Sequence, residues 1–117
     1  TAFFWSGRTD GIGGAERALE IARQKGGTTL EGLIESKGIK MPEWDINNPA
    51  SIKTWEDVSA MYANQVSGEV RAVVGANLRP GNIWENVELP RLINNPNVTK
   101  ITTIDPKTLA EKIIFQR

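Results

Sequence analysis

The chain has 117 residues with 14 basic and 14 acidic side chains, a net charge of zero, and neither cysteine nor histidine. That length supports one domain with a single modest core, and no apolar run reaches the roughly 20 residues of a membrane-spanning helix. Disulfides, thiolate sites, the usual general base and the usual zinc ligand are all excluded, and balanced charge argues against a phosphate-tracking nucleic-acid surface. The start, Thr1 followed by Ala2-Phe3-Phe4-Trp5, has no initiator methionine and no leader pattern, and reads as a fragment cut from a longer protein or expressed as a domain.

Residues 2–6 read as a buried strand ending at Ser6-Gly7, followed by turn chemistry at Arg8-Thr9-Asp10-Gly11. From Gly14 to Lys25, Ala15, Ala18, Leu19 and Ala22 recur at helical spacing with Ile21 beside them, and Gly26-Gly27 supplies a stop. A second helix is expected from Thr28, where Thr28-Thr29-Leu30-Glu31 fits a capping box; Leu30, Leu33 and Ile34 form its apolar side, and it ends near Gly38. Pro42, Asn47-Asn48 and Pro49 mark residues 39–53 as a loop. A third helix opens at Thr54, with Trp55, Val58, Tyr62 and Gln65 along one side. Residues 68–74 alternate and then become fully apolar, as a strand. Asn77 to Asn86 is a loop around Arg79-Pro80-Gly81 that contains Trp84, and Glu88-Leu89 reads as a very short strand stopped by Pro90. Residues 98–104 and 112–116 are the last strands. Interleaved strands and helices predict one α/β domain over residues 1–117, a small central sheet flanked by short helices.

Few motifs carry chemistry by themselves. Gly11-Ile12-Gly13-Gly14 precedes a helix, but the dinucleotide fingerprint fails, because Glu16 stands at its third glycine position and no strand immediately precedes it. A turn entering a helix is the stronger reading. Glu31 is most simply the N3 acid of the capping box. Glu88, between Val87 and Leu89, is either a solvated edge residue or a partly desolvated carboxylate of the kind found at functional sites. Trp5, Trp55 and Trp84 can be core anchors, but four tryptophans against one tyrosine would also suit a substrate with planar rings.

Five short blocks, in order, resemble the ADP-ribosyl cyclases, enzymes that cleave NAD. Phe4-Trp5-Ser6-Gly7 resembles that family's F-W-S-G segment, and Thr29-Leu30-Glu31 its T-L-E-D segment. Trp55, Ser59, Tyr62-Ala63 and Gly68-Glu69-Val70 come next, at family spacing. Arg79-Pro80 through Glu88-Leu89-Pro90 resembles the R-P…E-L-P run, with Trp84 at its aromatic position, and Val98-Thr99-Lys100-Ile101 the strand after it. The animal members are longer and disulfide-bonded. A short, cysteine-free version is more similar to the cyclase-like toxin domains at the C-termini of large secreted bacterial proteins.

The resemblance implies the catalytic half of the cyclase fold and an NAD glycohydrolase that releases nicotinamide and ADP-ribose. It implies Glu88 as the principal catalytic carboxylate and Glu31 as the second acid, contacting the nicotinamide carboxamide. Trp5 and Trp55 would stack on the nicotinamide ring, and Ser59 would bond a phosphate or ribose oxygen. Ser6 and Arg8, in the turn after the first strand, would face the pyrophosphate, and Trp84 would cover the ribose. NAD is then the substrate, with no cofactor or metal expected and a cognate immunity protein as partner. The domain would be secreted on a carrier and act in the cytoplasm of the target cell. Ile83 beside Trp84, where the molluscan member of the family has a second aromatic residue, favours hydrolysis over cyclic ADP-ribose formation. The alternatives are a cyclase, an ADP-ribosyltransferase, and a binding module without activity.

Overall fold

The computed structural model describes residues 1–117 throughout. Strand β1 (Ala2–Ser6) leads into a two-residue hairpin, β2 (Arg8–Thr9) and β3 (Ile12–Gly13), and then helix α1 (Gly14–Gln24). Next come β4 (Thr28–Thr29), α2 (Leu30–Lys37), α3 (Pro49–Gln65) and β5 (Gly68–Val74). A π-helical turn over Trp84–Glu88 runs directly into α4 (Leu89–Asn94), and β6 (Val98–Ile104) and β7 (Glu111–Gln116) complete the chain. The main sheet has the order β4-β1-β5-β6-β7, with β7 antiparallel to β6 and every other pairing parallel. The fold is α/β, a mixed five-stranded sheet with four helices.

Period-two alternation along β1 splits the core between the sheet's two faces. Phe4 points to one face, among Tyr62 and Ala63 of α3, Val70 and Ala72 of β5, Trp84, and Leu92 of α4. Phe3 points to the other, against Ala18, Ile21 and Ala22 of α1, with Val73 and Ile104. Where β6 pairs with β5, the register slips by one residue at Thr99, which puts Val98 and Ile101 in the same core. Gly7, with φ +70°, turns the chain out of β1 directly beneath Asn77 and Leu78, where a Cβ would collide with both.

The strands at 2–6, 68–74 and 98–104 and the end of α2 at Gly38 lie where the pattern puts them, and the last strand begins one residue earlier, at Glu111. Several expectations fail. Arg8 to Gly13 is an antiparallel hairpin, so a strand does precede α1. Thr28 and Thr29 are extended, because they pair with Ala2 and Phe3 of β1. Thr29, not Thr28, is the N-cap of α2, its hydroxyl accepting from the Gly32 N–H at 3.1 Å. Glu31 is therefore no capping acid, and its carboxylate is free to turn elsewhere. Helix α3 starts at Pro49, not Thr54, because Asn48 caps it through the N–H groups of Ala50 and Ser51 and Pro49 suits the first turn. The loop expected over 39–53 shrinks accordingly. Glu88-Leu89 is helical, not a strand: Trp84, Val87, Glu88 and Leu92 form one buried helical stripe.

Candidate active site

Helix α1 follows β1 onto one face of the sheet, whereas α4 follows β5 onto the other. Such divergence opens a crevice beyond the carboxyl ends of the strands. A cavity of about 800 Å³ lies there. It borders the residues after β1, those after β4 and those after β5, with the middle of α3 as a further wall. All eight residues expected at a site, Trp5, Ser6, Arg8, Glu31, Trp55, Ser59, Trp84 and Glu88, line it.

The π-turn presents Glu88. Pro90 has no N–H to donate four residues back, and its ring crowds the carbonyl there. A one-residue widening relieves that crowding, and the Leu89 N–H bonds Trp84 O, five residues back. The turn is fastened at its start by Asn82, whose Oδ1 accepts from the Glu85 N–H at 2.9 Å while its Nδ2 donates to Glu85 Oε1 at 2.7 Å.

Glu88 is only 7% exposed. Burial, and then the charge of Glu31, push its carboxyl up to about 8, against a smaller opposing effect of the neighbouring Ser59 hydroxyl. Glu31 Oε1 accepts from the Trp5 indole N–H at 3.0 Å, while its buried Oε2 has no partner. Tyr62 lies in the same field: burial, with both acids adding to it, drives its phenol up to about 12, and its hydroxyl donates to Thr28 O at 3.2 Å.

The other expected residues divide by what they already bond. Ser6 turns its hydroxyl to Asn82 Oδ1 at 3.3 Å, linking β1 to the π-turn. The Arg8 N–H is bonded to Asn77 O, and its guanidinium donates to Gly13 O at 3.0 Å, over the start of α1. Trp55 donates its indole N–H to Pro42 O at 2.9 Å, so only its ring face is available to the cavity. Trp84 packs at a tilt against Phe4, ring centroids 5.9 Å apart, and forms part of the floor.

Among the lining residues that were not expected are Trp44, Arg79 and Asn82. Asn82 was detectable, because Asn82-x-x-Glu85 is a cap-and-N3 pair ahead of a helical stripe. Trp44 and Arg79 sit in segments without periodicity, where only tertiary structure brings them to one rim.

No group of three acidic side chains converges as a metal-ligand set, and no helix is long and apolar enough to cross a membrane. No model of a known protein family matches the chain, and no curated protein matches it.

Proposed function

We propose that the protein is an NAD glycohydrolase of ADP-ribosyl cyclase type, breaking the bond between nicotinamide and ribose. The observation that carries this reading is the pair Glu88 and Glu31 on an aromatic-walled cavity, one carboxyl desolvated and the other holding an unpartnered buried oxygen. In this reaction the electrons of the C1′–N bond leave with nicotinamide, which departs neutral, and positive charge develops on the ribose. The Glu88 carboxylate opposes that charge in a site where water screens it little. Water then adds at C1′ and loses a proton, giving ADP-ribose. No histidine is needed, because the leaving group carries its own activating charge.

The remaining residues take supporting roles. Glu31 Oε2 accepts from the nicotinamide carboxamide, the donor it otherwise lacks. The faces of Trp5 and Trp55 hold the cationic ring by stacking and cation–π attraction. Ser59 fixes the Glu88 carboxyl and bonds a ribose oxygen, while the Ser6-Gly7-Arg8 turn faces the pyrophosphate with the Arg8 guanidinium. Trp84 closes the ribose side. With Ile83 in place of a further aromatic wall, water reaches the intermediate and cyclic ADP-ribose is at most a minor product.

The biological setting we infer is that of a toxin domain delivered on a larger secreted carrier, depleting NAD in a recipient bacterium and held off in the producer by an immunity protein. This setting rests on the resemblance alone. The direct test is NAD consumption by the wild-type protein and by Glu88→Gln, with products separated by chromatography. The variant is expected to lose at least roughly a hundredfold in rate. Equal turnover by the two proteins would sink the assignment, and predominant cyclic ADP-ribose would replace hydrolase with cyclase. In a bacterial cytoplasm the wild type is expected to stop growth and Glu88→Gln to permit it.

A further inference from the structure

Two side chains on the rim of the cavity have no part in nicotinamide cleavage. Glu88 and Trp84 form its floor at 7% and 3% exposure, whereas Trp44 is 42% exposed. Trp44 lies in an irregular segment between α2 and α3, yet the backbone on both sides of it is anchored. The Trp55 indole donates to Pro42 O at 2.9 Å, and the Ser51 hydroxyl donates to Glu43 O at 2.5 Å and accepts from the Asp45 N–H at 3.2 Å. From the opposite rim, the Arg79 guanidinium stands 5.6 Å from the Trp44 ring centroid. Asn82 holds the Arg79 segment in turn, donating to the Arg79 carbonyl at 2.8 Å.

A large aromatic ring left in water, fixed by its neighbours and paired with a cation, is a stacking platform. Planar bases stack on such rings whatever their sequence, and a guanidinium beside the ring suits the phosphate next to the base. A dinucleotide with its nicotinamide on the floor must send its other half out through this rim. We propose that Trp44 and Arg79 form the subsite for the adenosine monophosphate half of the substrate, the indole stacking on adenine and the guanidinium pairing with the adjoining phosphate. The proposal rests on the dinucleotide reading of the site and adds to it the residues that recognise the end remote from the chemistry.

Calorimetric titration of the whole protein with adenosine 5′-monophosphate tests the subsite without any need for cleavage. Binding is expected to weaken by about tenfold or more in Trp44→Ala, to recover in Trp44→Phe, and to weaken in Arg79→Ala. The ratio of kcat/KM for NAD to that for nicotinamide mononucleotide, which lacks this half, is expected to fall by a similar factor in Trp44→Ala. The subsite is overturned if the wild type binds no adenosine monophosphate, if Trp44→Ala binds it as well as the wild type, or if both substrates lose equally. A wild type that binds it through Trp44 yet releases no nicotinamide would instead overturn the glycohydrolase reading and leave the subsite standing.

Discussion

A carboxyl pushed up to about 8 is mostly protonated at neutral pH, whereas a developing oxocarbenium ion needs the carboxylate. The value of kcat/KM for NAD is therefore expected to rise from pH 6 to pH 9 with an inflection near 8, read from initial rates across buffers. Because the Glu31 charge is one cause of the upward displacement, Glu31→Gln should move that inflection to lower pH. An inflection that stays put in the variant would show that the two carboxyls do not interact. The same proton affects folding. The ordinary value of 4.5 holds in the unfolded chain, so between there and about 8 the folded protein binds a proton that the unfolded one has lost. Glu88 thus costs no stability below pH 4.5 and progressively more as pH rises to 8. Urea unfolding should find Glu88→Gln more stable than the wild type by about 1–3 kcal/mol at pH 8 and nearly equal at pH 4.

At the scale of elements, the π-turn sets where Glu88 points, and it does so by register. Each residue added to or removed from a helix rotates the remainder of that helix by about 100°. Deleting Asn86 should swing Glu88 off the cavity and abolish nicotinamide release while the far-ultraviolet dichroism stays close to that of the wild type. Asn82→Ala removes the cap and the brace to Ser6, and is expected to cost about 1–2 kcal/mol in thermal unfolding. The strands at 2–6 and 68–74 were legible because β1 is a short apolar run bounded by turn residues and β5 alternates before it becomes fully apolar, both patterns of a buried sheet. The helix carrying Glu88 was not, because Val87-Glu88-Leu89 imitates an edge strand and Pro90 resembles a stop. Its true signals lay further out, in the Asn82-x-x-Glu85 cap and the spacing of Trp84, Val87 and Leu92. Likewise Asn48-Pro49 resembles a turn until it is read as a cap followed by the first helical residue. The floor of the site was visible in the sequence as short blocks, whereas its rim was not: nothing local joins Trp44 to Arg79.

Across the whole molecule, the strand ends that frame the cavity are tied together by single polar residues. The Thr9 hydroxyl accepts from the Ala76 N–H at 2.9 Å and donates to Asp105 Oδ2 at 2.8 Å, joining the β2–β3 hairpin to the segments after β5 and β6. The Thr108 N–H, with the Thr9 hydroxyl and the Lys107 N–H, holds the Asp105 carboxyl below its ordinary range, more strongly than partial burial raises it. Its stabilising effect is fully present above pH 3.8 and lost as acid protonates it. Asp105→Ala should cost about 1–2 kcal/mol in urea unfolding at pH 7, and less at pH 2. Arg117 closes the other end, its guanidinium donating to Ile93, Asn95 and Val98 carbonyls around the turn between α4 and β6. The distribution of the tryptophans has an optical consequence. Trp5, Trp44, Trp55 and Trp84 are all four that the chain contains, and every one borders the same cavity. The protein's tryptophan emission thus originates entirely in the walls of its candidate site. Any planar ligand that enters should dim or shift it with no background from elsewhere, so occupancy can be followed in unlabelled protein.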